Sequence, residues 1–567
     1  MWPKPWLIGG SNRACRWLSA DPIDPADGRL SKTAGRKRWG GADGLGAATG
    51  SAGTLRRSPL PTATGAPDLR PRAAPCRPAI ARYAVAHRRP CPLLEKPTIA
   101  DPATTASDRD PAPADRAPAD RAAVDRTGAH ARIWRIAGPA ILANVSTALI
   151  GLVDTWAVGH LPDPALLAAI GVGAFIFNYL FWAAGFLRMG TTGTVAQAHG
   201  QDDQTRIARI VLRSLLLALA LGALVLVLRD ALLAGALAFI DPEPRLDGPI
   251  STYFGIRIWS APAVLARLVV LGLLLGTGRA RTALALEVFV NLVNAGLTVW
   301  FVRGLGWALA GAAAASAIAE ALSAVLGLAL ALALLGRAHL AAILRTPGFW
   351  RLDAFASLLS GNAFLLMRTL LLLSVFALIW KIGTGVSSTI AAANQVLLQF
   401  LTLAALALDG LAYAAEAEVG RAVGRQDRRL VHRMTAVTAL WSALAAAALS
   451  ATYALAGDAI VALFTDHASV RAAAGAHLAW LVAMPMVAVW SYQFDGVFVG
   501  LNAFRAMFAT MGLAFAGFAA VALWAVPLWG NHGLWAAVTV FMGLRGLAQA
   551  LWYRPLVRAR LAEPAAA

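Results

Sequence analysis

The sequence predicts an all-α membrane protein: twelve transmembrane helices in two pseudo-symmetric six-helix bundles, preceded by a disordered N-terminal tail. Three observations predict it. Of 567 residues, 58% are hydrophobic and only 14% charged, against about 25% charged in an ordinary soluble domain. From Ile133 onward, apolar stretches of roughly 20 residues, enough for a helix to cross about 30 Å of hydrocarbon, alternate with short polar breaks. Finally, short motifs recur in order about 223 residues apart.

The tail, residues 1–128, is rich in Arg, Pro, Ala and Gly and has no apolar run able to build a core, so disorder is expected. It ends in the repeat Pro-Ala-Asp-Arg-Ala-Pro-Ala-Asp-Arg, Pro113 to Arg121, a solvated linker. No secretory signal is apparent, and twelve acidic residues argue against a transit peptide. After Met1 the next methionine is Met189, so a start at a non-Met codon near residue 125 is an alternative reading. Cys15, Cys76 and Cys91 all lie in the tail, leaving no disulfide framework for the body and no metal-ligand spacing. No metal, cofactor or nucleic-acid partner is expected.

The expected spans are 133–159, 168–199, 207–228, 250–277, 282–302 and 306–335 in an N-lobe (129–345). Those of a C-lobe (346–567) are 355–380, 385–418, 431–456, 474–500, 506–528 and 533–553. With the tail inside, seventeen arginines fall at inner helix ends and six Lys or Arg at outer ends, which places both termini in the cytoplasm of a plasma-membrane protein. The repeat supports the two lobes. Gly138-Pro139-Ala140 answers Gly361-Asn362-Ala363, Gly200-Gln201-Asp202 answers Gly424-Arg425-Gln426-Asp427, and Pro262 answers Pro485. Parallel six-span copies are an architecture of transporters with a site between the halves.

Ionisable groups at membrane depth are costly and mark function or mutual pairing. They are Asp154, Arg188, Arg267, Glu287, Glu320, Arg368, Asp409, Glu416, Glu418, Asp495 and Arg545. Asp154 stands out by its company: Asn144, Thr147, Gly151 and Asp154 share one polar face of span one. Glu287, Asn291, Asn294 and Thr298 repeat the device in span five. Asp154, Asn294 and Thr298 are expected to meet in an outer-half pocket, to which Glu320 can contribute, with Glu287 too deep to reach it. Burial disfavours the charged form of a carboxylate, which suits proton exchange at Asp154, and Pro139 offers a bend in the same helix. Arg188 is expected to brace an acid, Asp409 and Glu416 to act as a brace or cytoplasmic gate, and Glu418 to be solvated. Phe175, Phe177, Tyr179, Phe181 and Trp182 suit a lipid-facing or cavity wall.

Gly138-Pro139-Ala140 with Leu152-Val153-Asp154-Thr155 and Gly159-His160-Leu161 resembles the first span of the multidrug and toxic compound extrusion (MATE) family. Phe186-Leu187-Arg188-Met189-Gly190-Thr191-Thr192-Gly193, then Ala196-Gln197-Ala198, resembles its DinF-like branch, as does Leu408-Asp409-Gly410 with Ala415-Glu416-Ala417. The resemblance implies two lobes around a central cavity, exporting organic solutes in exchange for H⁺ or Na⁺. The family's first-span acid maps onto Asp154 and its fifth-span asparagine onto Asn294. Many members carry an Asp four residues later, where this chain has Thr298, which favours H⁺ over Na⁺. The expected protein is a monomeric secondary antiporter for small organic solutes, in contact with membrane lipid. A lipid-linked sugar flippase is the alternative within transport. A primary pump lacks its phosphate cradle, since no lysine follows a glycine, and an intramembrane enzyme lacks HExxH and GxSxG.

Overall fold

The computed structural model describes residues 128–147 and 164–561, and every regular element among them is helical. The tail, its three cysteines, Gly151 and Asp154 lie outside the described residues. The first lobe comprises α1 (128–147), α2 (Pro164–Ala183), α3 (Phe186–Gly200), α4 (Gln204–Val227), α5 (Arg229–Ile240), α6 (Asp247–Arg257), α7 (Ala261–Gly276), α8 (Ala280–Val299) and α9 (Ala308–Leu335). A short α10 (Arg337–Leu344) leads to the second lobe: α11 (Leu352–Val386), α12 (Ser388–Gly424), α13 (Arg428–Phe464), α14 (Ala468–Gly500), α15 (Phe504–Trp529) and α16 (Asn531–Arg560).

Eleven helices among the described residues are long and apolar enough to span a membrane, and α1 is the described part of the first expected span. Expected span two is α2 and α3, joined through Ala184–Gly185. Span four is α6 and α7 joined by a 3₁₀ turn at Ile258–Ser260. Pro262 lies in the first turn of α7, where its missing N–H costs no hydrogen bond. Its counterpart Pro485 sits inside an unbroken α14, so the two prolines are not structural equivalents. Helix α1 likewise runs unbroken through Pro139. Expected span three ends at residue 228, yet helix resumes directly as α5, because Asp-Ala-Leu-Leu-Ala-Gly-Ala-Leu is a good helix-forming run and not a polar break.

The repeat is visible in the turns. Asp202 and Gln426 both take left-handed backbone (φ 55° each), just past the ends of α3 and α12. Asp203 Oδ1 then accepts the Arg206 N–H at 2.8 Å to start α4, and Asp427 Oδ1 accepts the Leu430 N–H at 2.9 Å to start α13. Each lobe also has a core of its own, around Phe177, Tyr253 and Phe254 in the first and Phe400, Phe518, Trp535 and Phe541 in the second. The outer surface is apolar, as lipid requires: Leu352, Leu455, Leu463 and Leu523 are all at least 80% exposed. Exposed tryptophans cluster at helix ends, among them Trp300, Trp307, Trp380, Trp524 and Trp529 at one end of the bundle, as an interfacial belt does.

Candidate functional site

Between the lobes lies a cavity of about 740 Å³. α1 contributes Asn144 and Thr147, α2 contributes Phe175, Tyr179, Phe181 and Trp182, and α11 contributes Phe376 and Trp380. Phe177, expected in the same wall, is 1% exposed and packs into the first lobe's core. Among the described residues, four arginines and four carboxylates line the cavity: Arg188, Arg267, Arg368 and Arg545 with Glu287, Asp409, Glu416 and Asp495.

At one end the cavity meets a seal in which α3 of the first lobe packs against α12 and α14 of the second. The close approach depends on glycine. A Cβ on Gly193 would sit 2.2 Å from the Val499 carbonyl oxygen, and one on Gly424 would sit 2.1 Å from that of Gln197. Gln197 Nε2 donates across the same interface to the Gly500 carbonyl at 2.8 Å. On the cavity side, Arg188 donates to both Glu416 oxygens at 2.9 and 3.4 Å, and its guanidinium stacks 4.1 Å from the Tyr413 ring centre. Farther along the cavity, Asn144 Nδ2 donates to the Leu406 carbonyl at 3.0 Å, tying α1 to α12.

The remaining charges form one cluster per lobe. In the first, Arg267 on α7 pairs with Glu287 on α8 and, at 3.0 Å, with Glu320 on α9. In the second, Asp495 on α14 is held by Arg368 on α11, by Arg545 on α16 and by Gln549 Nε2 at 2.7 Å. Mutual neutralisation of acids and arginines from neighbouring helices, as the sequence leads one to expect, accounts for nearly all of them. Glu418, expected to be solvated, is 3% exposed and lies between Arg421 (2.9 Å) and Arg132 (3.7 Å), because the inner ends of α1 and α12 cover it.

Asp409 differs from the rest. It shares a face of α12 with Glu416, but only Glu416 is one helix turn pair nearer to Arg188; among the described residues Asp409 has neither ion pair nor hydrogen bond. It therefore braces no arginine, and is instead a partly buried carboxylate bare to the cavity. The expected outer pocket is placed as follows. Asn294 Nδ2 donates to Ser316 Oγ at 3.3 Å and Thr298 Oγ1 donates to Asn294 Oδ1 at 3.0 Å, so the two pack on α9. Neither they nor Glu320 line the central cavity, whereas Asn144 and Thr147 do. Asn291 Nδ2 reaches Ser146 Oγ at 2.8 Å, joining α8 to α1 near the point where the description of α1 ends.

Two homologous helical lobes around a charge-lined cavity, closed at one end by a close-packed helix contact, define a membrane transporter. The MatE family pattern matches residues 139–300. DNA damage-inducible protein F of Escherichia coli K12 is 40% identical over 430 residues, covering 76% of this chain and 93% of that one. A probable multidrug resistance protein NorM of Xanthomonas campestris is 29% identical over 450 residues, covering 72% and 92%. Solved MATE structures share the fold: one in an outward-facing conformation (TM-score 0.68, 19% identity, 77% of this chain and 97% of that one) and one in the bent conformation (0.67, 18%, 76% and 95%). The chain belongs to the multidrug and toxic compound extrusion family, in its DinF-like branch. It is a multi-pass membrane transporter and not an enzyme.

Proposed function

We propose that the protein exports small organic solutes by H⁺ antiport through alternating access, as a monomer in the plasma membrane with both termini in the cytoplasm. The observation that carries this reading is the seal. The cavity stops where α3 meets α12 and α14, and that contact is closed by glycine-to-backbone approaches, one amide and one ion pair set among buried apolar side chains. The same contact continues into an apolar core that runs across both lobes, while each lobe also keeps a core of its own, so that the two can shift against each other as bodies. Parting it would open the cavity to the opposite side of the membrane.

In this reading Asp154 carries the proton. Asn144 and Thr147, which by their spacing belong to the polar face expected to include Asp154, line the cavity, and Asn291 holds α1 to α8. Loss of the Asp154 charge would remove one charge from the first expected span and so change what that span can hold. Thr298, spent on a hydrogen bond to Asn294 where many relatives carry an acid, supports H⁺ over Na⁺ as coupling ion. Four arginines against four carboxylates make the cavity unlike the strongly cationic one a lipid-linked sugar flippase would use.

The test is energised solute uptake into everted vesicles, where export from the cell runs into the lumen, with Asp154→Asn at matched expression. Export should fall at least about tenfold, the size expected for losing the coupling group. Undiminished export would remove Asp154 from the mechanism.

A further inference from the structure

The second lobe's charge cluster is not balanced within itself. Two guanidiniums, Arg368 and Arg545, share the single carboxylate of Asp495, whose other oxygen is taken by Gln549. The side chains of both arginines are more than nine-tenths buried. Asp495 is their one carboxylate contact among the described residues, and the Nε of each is buried with no acceptor. All three charged side chains nonetheless line the central cavity. Held permanently in a low-dielectric wall, a surplus guanidinium is costly unless a second anion comes within reach. Asp409 faces the same cavity but touches neither arginine, so it offsets the charge only at a distance.

We propose that Arg368 and Arg545 form a subsite in the C-lobe wall for the anionic group, a carboxylate or sulfonate, of an aromatic solute. The planar donor fork of arginine suits such a group. Around it, Tyr492 lies 5.7 Å from the Arg545 guanidinium, and Trp182 and Phe376 pair across the cavity with ring centres 5.6 Å apart. These rings offer a flat apolar surface to the body of the same molecule. Asp495 positions the two arginines, and Asp409 tunes the site by opposing the bound anion.

The inference rests on the export reading in one respect, that a solute enters this cavity. Full-length protein in lipid nanodiscs is titrated with 2-naphthoate and with its uncharged isostere 2-naphthamide, with tryptophan quenching reporting both dissociation constants. The wild type should hold the carboxylate about tenfold more tightly than the amide, as one charge-assisted hydrogen bond would provide. Arg368→Gln should bring the ratio to about one, Arg368→Lys should keep part of it, and Asp409→Asn should raise it. Equal binding of the two probes by the wild type, or a preference surviving Arg368→Gln, overturns the proposal. If Arg368→Gln does not fold, Asp409→Asn decides, since an unchanged or lowered ratio contradicts the subsite. Carboxylate preference in a protein that exports nothing would sink the export reading and leave the subsite standing. Export without carboxylate preference would do the reverse.

Discussion

At the residue scale the charged side chains in the membrane, among the described residues, divide into those that hold helices together and Asp409, which holds nothing. Arg188 and Glu416 join the lobes by a bidentate bond between side chains that are 13% and 3% exposed. Removing either partner strands a buried charge, which costs about 3–5 kcal/mol. Arg188→Ala and Glu416→Ala should each lower the thermal midpoint, and a double-mutant cycle should return a coupling of about 1–3 kcal/mol; strictly additive losses would mean that the pair does not form. Asp409→Asn, by contrast, should leave stability within about 0.5 kcal/mol, since no contact is lost. The sequence singled out these residues by depth alone. Spacing could show that Asp409 and Glu416 share a face, but not which of them meets the arginine on another helix. That takes the assembled bundle. The two-to-one ratio of arginine to acid in the second lobe's cluster was similarly invisible until Arg368, Arg545 and Asp495 came together from three helices.

At the scale of elements, the spans were legible because lipid imposes a minimum apolar length, and the turns were legible in part because the duplication repeats them. Gly200 and Gly424, then Asp203 and Asp427, end one helix and cap the next in both lobes. Asp203→Ala and Asp427→Ala should each cost about 1 kcal/mol in a denaturation series, the usual value of an N-cap; a loss near zero would show the caps to be redundant. Helix ends were less legible. α5 follows α4 without a polar break, and Pro485 lies within a helix where its counterpart opens one. In membranes, packing partners repair a backbone that sequence rules would interrupt. The seal between α3, α12 and α14 is the element-level claim with the clearest consequence. Gly193→Ala or Gly424→Ala places a methyl on a carbonyl oxygen, so the seal cannot close. Each should reduce export at least about tenfold while leaving membrane insertion and the lobe cores intact. Normal export by both variants would show that the contact is not part of the cycle.

At the scale of the whole molecule, each lobe has a core of its own, a further apolar core joins them, and a charged cavity lies between. The orientation we propose from the arginine asymmetry of the loops has the sealed end and both termini in the cytoplasm, and on it reporter fusions at residue 128 and at the C-terminus should both be active only as cytoplasmic reporters. An extracellular reading at either end would invert the direction of transport. Two six-helix lobes could be inferred from the repeat. The cavity's charge pairing could not, because each cluster is assembled from three different helices. The central claim, that a solute leaves as a proton enters, is tested most directly in proteoliposomes holding a pH-sensitive dye. An imposed outward gradient of an exported solute should drive protons inward, and Asp154→Asn should abolish that flux while solute binding persists. Solute crossing with no proton movement, or full proton flux through the Asn variant, would contradict it.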